Sequence, residues 1–294
     1  MFETNVKVNA LSTEVFSGRF LIVVLTLAGL LVVQHLFLTY AFPLTVLNYP
    51  LSLVVASLAV IISSAIAFLY WLKATVPYGL SSIFGKVFSG VTLFLGFKAF
   101  GNLFEIMSHF TEEPYSSALD VISHFFLIAA YLPLYSSIVI LVFEGHFLLR
   151  SRATHGKIYA TIIVYGLPAL IWVYLVFFLF QIRLPTMSWS EIVGFVVSTV
   201  YVIMDVIVLI ILVPLVSSKF RHGLLQYSME ALVYAIVTYS LADIFRNALF
   251  FIVGYDVLKI LPYVGYMISY MLFTSPSRTI LHLEAKAKEV VRGV

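Results

Sequence analysis

Lys98, Asn102, Glu105 and His109 recur at i, i+4, i+7 and i+11 inside an apolar stretch. That spacing lines them up on one face of a helix. Ionisable groups at membrane depth are costly beside lipid, so they turn toward a bundle interior or a wet cavity and find partners there. A short way along the chain, Asp120 and His124 repeat the four-residue step of Glu105 and His109. An imidazole next to a carboxylate takes up and releases protons near neutral pH, as quinol oxidation requires. Gln34 and His35 lie at a similar depth in the first apolar run.

Two chemistries are expected from this set. The first is a redox site in which Glu105, His109, Asp120 and His124 receive the protons of a quinol. In its haem b version, His35, His109 and His124 supply axial nitrogens. Either form needs a cofactor-bearing partner subunit on the outer side to accept the electrons. The second chemistry is ion-coupled transport by buried Glu105, Lys98, Asp205, Asp243 and Arg246. Here Lys98 is expected to pair with Asp205 as a register-setting or gating pair. Asp243 is expected to pair with Arg246, three residues on in its own helix.

The elements that must hold these residues are membrane helices. The chain has 294 residues, of which 62% are hydrophobic and 11% charged, and its mean hydropathy is +1.07. A soluble domain carries about 25% charged residues. Apolar runs of about 20 residues are read at 19–41, 49–72, 84–110, 118–148, 157–182, 191–217, 227–253 and 256–275. Pro133 is expected to kink the fourth. The weakest break is Gly254-Tyr255-Asp256. The N-terminal residues include Glu3 and Glu14 and lack the short apolar core of a signal peptide, so the first run reads as a retained helix.

Lysine and arginine sort these runs by side. Lys7, Arg19, Lys73, Lys86, Arg150, Arg152, Lys157, Lys219, Arg221, Arg278, Lys286, Lys288 and Arg292 fall on one side of the membrane, against Arg183 and Lys259 on the other. The positive-inside rule then places both termini in the cytoplasm of a multi-pass plasma-membrane protein, which requires an even number of spans.

At a shift of 138 residues, Leu103-Phe104-Glu105-Ile106 falls on Leu241-Ala242-Asp243-Ile244 and Arg19 on Lys157. Four spans per repeat make the copies parallel. The expected fold is therefore all-α, with eight transmembrane helices as two parallel-repeat four-helix bundles. Residues 1–18 form a cytoplasmic segment, 19–148 the first bundle, 149–156 a linker, 157–275 the second bundle and 276–294 an amphipathic cytoplasmic tail. In the second copy His109 maps to Asn247 and His35 to Val173, so a histidine site would exist only once. Trp71, Trp189, Tyr40, Tyr49, Tyr115 and Tyr255 are read as interfacial belt residues.

Several functions are excluded. Zero cysteine removes disulfides, thiolate zinc, cysteine-ligated iron–sulfur clusters and cysteine nucleophiles. There is no phosphate loop, no His-Glu-x-x-His pair and no nucleic-acid-binding module. The leading expectation is a membrane subunit of a respiratory-type electron-transfer complex with a quinol or haem b site near the outer face of helices 1, 3 and 4. The alternative is a proton- or ion-coupled secondary transporter, and a third reading is a sensory or assembly module.

Overall fold

A computed structural model describes residues 18–41, 43–46, 49–112, 114–143, 149–151, 189–216, 219–220, 226–249 and 256–292. The fifth expected span, 157–182, lies outside the described residues, as does the break at Gly254-Tyr255.

The described chain is helical. In order it runs α1 (Gly18–Leu36), α2 (Leu51–Thr75), α3 (Ile83–Ser108), α4 (Tyr115–Ala129), α5 (Tyr131–Phe143), α6 (Trp189–Val216), α7 (Gln226–Leu249) and α8 (Ile260–Arg292). A π-helical turn, Phe37–Ala41, extends α1. Two 3-10 turns, Val76–Tyr78 and Asp256–Lys259, and two short antiparallel pairings complete the described secondary structure. β1 (Thr45–Val46) meets β2 (Tyr49–Pro50) in the α1–α2 connection, and β3 (Leu149–Ser151) meets β4 (Lys219–Phe220).

Six segments among the described residues are long and apolar enough to cross a membrane: Ile22–Ala41, Leu51–Tyr78, Ile83–Ser108, Tyr115–Phe143, Phe195–Val213 and Ser228–Asn247. The protein is multi-pass, and its apolar outer faces suit a bilayer. On α2, Leu58, Ile62, Ile66 and Leu69 are exposed, while Val60, Ser64, Ala67, Trp71 and Ala74 are buried on the opposite face. The buried stripe repeats at three- and four-residue steps and is rich in small residues, which let membrane helices approach closely. The exposed stripe is the part that meets lipid.

Trp71 belongs to the inner stripe. It is fully buried, and its indole Nε1–H donates to the Phe273 carbonyl at 2.7 Å, tying α2 to α8. This corrects the belt reading of that residue. A buried indole needs an acceptor for its N–H, and the α8 backbone supplies one. Tyr40 and Tyr115 are exposed, as belt residues should be.

Helix α3 is the central element. Ser82 caps its start, its hydroxyl accepting from the Gly85 N–H at 2.9 Å. Val87, Phe88, Val91, Phe94, Leu95 and Lys98 are all buried along it. Gly101 lets α4 close onto α3: a Cβ there would stand 2.6 Å from the side chain of Leu127. The core is continuous through both halves of the chain, joining residues of α2, α3, α4 and α5 to residues of α6, α7 and α8.

The fourth span is interrupted at Ala130, between α4 and α5, three residues before Pro133, the position at which a kink is expected. Pro133 lacks an N–H and its ring crowds the carbonyl four residues earlier, which is that of Ala129, the last residue of α4. The ladder resumes weakly, with Leu134 N–H to Ala130 O at 3.4 Å. The break leaves Tyr131 as the first residue of α5, fully buried and facing α6 and α7. At the other end of the chain, α8 continues through Pro276 to Arg292 as one helix.

Candidate functional site

Between α3, α4, α6, α7 and α8 lies a cavity of about 640 Å³. Helix α3 presents Lys98, Asn102 and Glu105 to it, α4 Asp120 and His124, α6 Tyr201, α7 Tyr239, Asp243, Arg246 and Asn247, and α8 Tyr266 and Tyr270. Its volume falls within the ~300–1,000 Å³ typical of small-molecule sites.

Two of the contributing helices face each other with matched spacing. Lys98, Asn102 and Glu105 step by four and three along α3, as do Tyr239, Asp243 and Arg246 along α7. Phe94 packs edge-on to Tyr239 with ring centroids 5.2 Å apart. Lys98 Nζ lies 3.9 Å from Asp243 Oδ2, and Arg246 donates to Glu105 Oε1. Partner numbers rise together along both helices, so α3 and α7 run parallel. The charges are crossed between them, base on one helix opposite acid on the other.

These pairings correct two expectations. Lys98 joins Asp243 rather than Asp205, and Arg246 reaches across to Glu105 rather than pairing with Asp243 in its own helix. The physical reason is that Asp243 is already held from several directions. It accepts from Tyr131 at 2.7 Å, from Tyr266, and from the amide of Asn247 at 3.5 Å. Arg246 lies one turn farther along, level with Glu105.

Lys98 is 1% exposed and is enclosed by rings. Its Nζ lies 4.3 Å from the centroid of Tyr131, 4.9 Å from Tyr239, 5.8 Å from Tyr201 and 5.9 Å from Phe94. Aromatic faces attract a cation, more strongly where water is excluded, so the cage and Asp243 together hold a charge that burial alone would disfavour.

The two buried aspartates are joined through one tyrosine. Tyr131 Oη stands 2.9 Å from Asp205 Oδ1 and 2.7 Å from Asp243 Oδ2. A phenol has a single proton to donate, and both carboxyls lie within its reach. The three groups form one hydrogen-bonded chain across α5, α6 and α7. Asp205 is fully buried, with the Ser240 hydroxyl beside its carboxyl. Tyr135, one turn beyond Tyr131, fixes α5 against α6 by donating to the Met204 carbonyl at 2.8 Å.

Of the cavity residues, His124 and Asp120 are partly exposed, with 35% and 53% of their side chains accessible. His124 Nδ1 lies 2.8 Å from its own helix's Asp120 carbonyl and 3.5 Å from Asp120 Oδ1. The His124 ring also lies 6.1 Å from that of Tyr201. His109 does not share this cavity. It lines a recess of about 20 Å³ behind the Glu105–Arg246 pair, with Ser57, Tyr263 and Tyr266. His35 is buried on α1, a helix with no residue in the cavity wall.

The structure thus gathers Lys98, Glu105, Asp120, His124, Asp243 and Arg246 around one space, attaches Asp205 through Tyr131, and sets His109 and His35 apart. Among the described residues no three histidine or carboxylate side chains converge as a metal site. The tyrosines escaped the sequence reading, which considered aromatic residues only at span ends. A signal was present: Tyr131, Tyr201, Tyr239, Tyr266 and Tyr270 lie well inside apolar helices, where each hydroxyl needs a partner. Comparisons with family models, curated proteins and solved structures find no match for the chain.

Proposed function

We propose that this protein is a proton-coupled secondary transporter of the plasma membrane. In this reading it has eight spans arranged as two parallel four-helix repeats around one shared core, with both termini in the cytoplasm. The observation that carries the reading is the Asp205–Tyr131–Asp243 chain, two buried carboxyls on one phenol, next to a solute-sized cavity; in this reading the chain holds an exchangeable proton. Solute enters past Asp120 and His124 and reaches Lys98 and Asp243. Arrival of a charged group at Asp243 changes the competition between Lys98, Tyr131 and Tyr266 for that carboxylate, and the proton leaves. Buried ionisable residues that exchange partners in this way are the usual means by which membrane carriers link ion and solute movement.

The test is proton flux in proteoliposomes under an imposed pH gradient, followed with a trapped pH dye while solutes are added. Wild-type protein should give solute-dependent flux. Asp243→Asn and Asp205→Asn should each abolish it, and unchanged flux in both variants would sink the assignment.

A second reading is supported by the Asp120–His124 pair at the outer mouth. This pair suits a quinol whose two protons pass outward to the imidazole and carboxylate, while a partner subunit takes the electrons. Of the three histidines that a haem would draw on, only His124 lines the cavity, so the quinol version has the stronger support. Native purification distinguishes the two readings: a copurifying cytochrome or copper subunit and a bound quinone favour electron transfer, and a solitary, colourless protein favours transport.

A further inference from the structure

The charged groups that line the cavity divide by access. Lys98 and Asp243 are closed, with 1% and 7% of their side chains accessible, and are held by each other, by Tyr131 and by Tyr266. Four others are open: Arg246 and Glu105 at 34% and 24%, His124 and Asp120 at 35% and 53%. All four belong to the cavity wall, so these are the charges that an arriving solute meets.

Each open pair has binding capacity left over. A guanidinium carries five N–H donors in a planar fork, and Arg246 directs Nη2 to Glu105 Oε1. Among the described residues no second carboxylate lies within ion-pair distance of it. The remaining donors suit a carboxylate, which takes two parallel N–H bonds from such a fork. Asp120 has the opposite need. Its ionic contact is with His124 at 3.5 Å, and no lysine or arginine among the described residues reaches it. A carboxylate in that position accepts charge-assisted bonds from an ammonium. Val121, Leu127 and Val197 give the same wall its apolar surface.

A solute with one charge meets only half of this chemistry. A simple amine leaves the guanidinium donors unmatched, and a simple carboxylate leaves Asp120 without a cation. A small body bearing both groups satisfies both, and a cavity of about 640 Å³ leaves room for a side chain. We infer that the solute is an amino-acid-like zwitterion, its carboxylate on Arg246, its ammonium on Asp120 and an apolar side chain against Val121, Leu127 and Val197. This rests on reading the cavity as the solute site of a transporter.

The experiment is calorimetric titration of the detergent-solubilised full chain with four probes: L-phenylalanine, L-leucine, 2-phenylethylamine and 3-phenylpropionate. L-Phenylalanine should bind at least about tenfold more tightly than either singly charged probe, the value of one charge-assisted hydrogen bond. Arg246→Lys keeps the charge and removes the fork. It should weaken L-phenylalanine and 3-phenylpropionate about tenfold and leave 2-phenylethylamine within about twofold. Asp120→Asn, at a half-exposed position that the fold does not depend on, should weaken L-phenylalanine and 2-phenylethylamine and spare 3-phenylpropionate. A singly charged probe binding as tightly as L-phenylalanine, or no binding of either amino acid, would overturn the zwitterion assignment. Unchanged L-phenylalanine affinity in Asp120→Asn would overturn the placement of the ammonium. Amino-acid binding without proton flux in proteoliposomes would leave the site standing and overturn the transport reading. Flux driven only by a singly charged probe would do the reverse.

Discussion

Replacing Tyr131 with phenylalanine isolates the hydroxyl that joins the two buried aspartates. The ring remains, so the 4.3 Å contact with Lys98 is retained. Two hydrogen bonds are lost, 2.9 Å to Asp205 and 2.7 Å to Asp243. The losses are unequal. Asp243 keeps Tyr266, Asn247 and Lys98. Asp205 keeps only the neighbouring Ser240 hydroxyl, because Tyr131 is its closest hydrogen-bond donor among the described residues. A hydrogen bond to a charged group contributes about 1.5–3 kcal/mol, and most of the cost falls on Asp205, so Tyr131→Phe should destabilise the fold by about 2–4 kcal/mol. Asp205→Asn in the Tyr131→Phe background removes the acid that was left stranded. The double variant should therefore cost less than the sum of the two single changes, by about 1–3 kcal/mol, as expected for residues in one network. Unfolding in mixed micelles titrated with a denaturing detergent, followed by tryptophan fluorescence, measures all four corners of the cycle. Additivity within about 0.5 kcal/mol would refute the Asp205–Tyr131–Asp243 chain as an energetic unit.

Gly101→Ala places a methyl group 2.6 Å from the Leu127 side chain. It should destabilise the protein by about 1–3 kcal/mol in the same micelle assay, with Leu127→Ala restoring part of the loss. Glu105→Gln leaves Arg246 without its carboxylate. Because the two side chains are 24% and 34% exposed, the cost should be limited to about 1–2 kcal/mol after screening, and Glu105→Ala should do no better. Trp71→Phe removes a 2.7 Å bond to the Phe273 carbonyl in a fully buried position. The orphaned acceptor and the smaller ring should together lower stability by about 2–4 kcal/mol and loosen α8 against α2, read as faster hydrogen exchange in that part of α8.

The membrane class and the helical periodicity were legible because both follow from short windows of sequence. The step from Lys98 to Glu105 gave the face of α3 that lines the cavity, and Pro133 gave the break in the fourth span within a few residues. The identity of each charge's partner was not legible. Spacing within a helix states which residues share a face, but pairing across helices depends on relative height and rotation. Asp243 and Arg246 satisfy the i, i+3 rule and are still drawn to different residues of α3, because that helix presents a base and an acid at the matching levels. His35 failed for the same reason. Its depth suits the site, but α1 lies outside the ring of helices that encloses the cavity. The tyrosines were not legible as belt residues, because they lie inside the apolar helices and not at their ends. Their hydroxyls make them part of the polar network, which depth alone would have suggested.

The composition of α8 has a consequence for how the protein is made. This helix is not among the six segments apolar enough to enter a bilayer by hydropathy alone, yet it contributes Tyr266 to Asp243 and the Phe273 carbonyl to Trp71. Its Tyr266, Ser269 and Tyr270 are buried against earlier helices; Ser269, for example, donates to the Ala235 carbonyl of α7 at 2.8 Å. Synthesis runs from the N-terminus, so α8 follows the helices it packs against and meets polar partners already placed on α2 and α7. Until it arrives, the acid at the centre of the network lacks one of its donors. A ribosome stalled before residue 260 would leave a chain with those polar groups facing lipid, the kind of surface that membrane quality-control proteases recognise. The residues of α8 that close the site are thus among those that bind this helix to its neighbours α2 and α7.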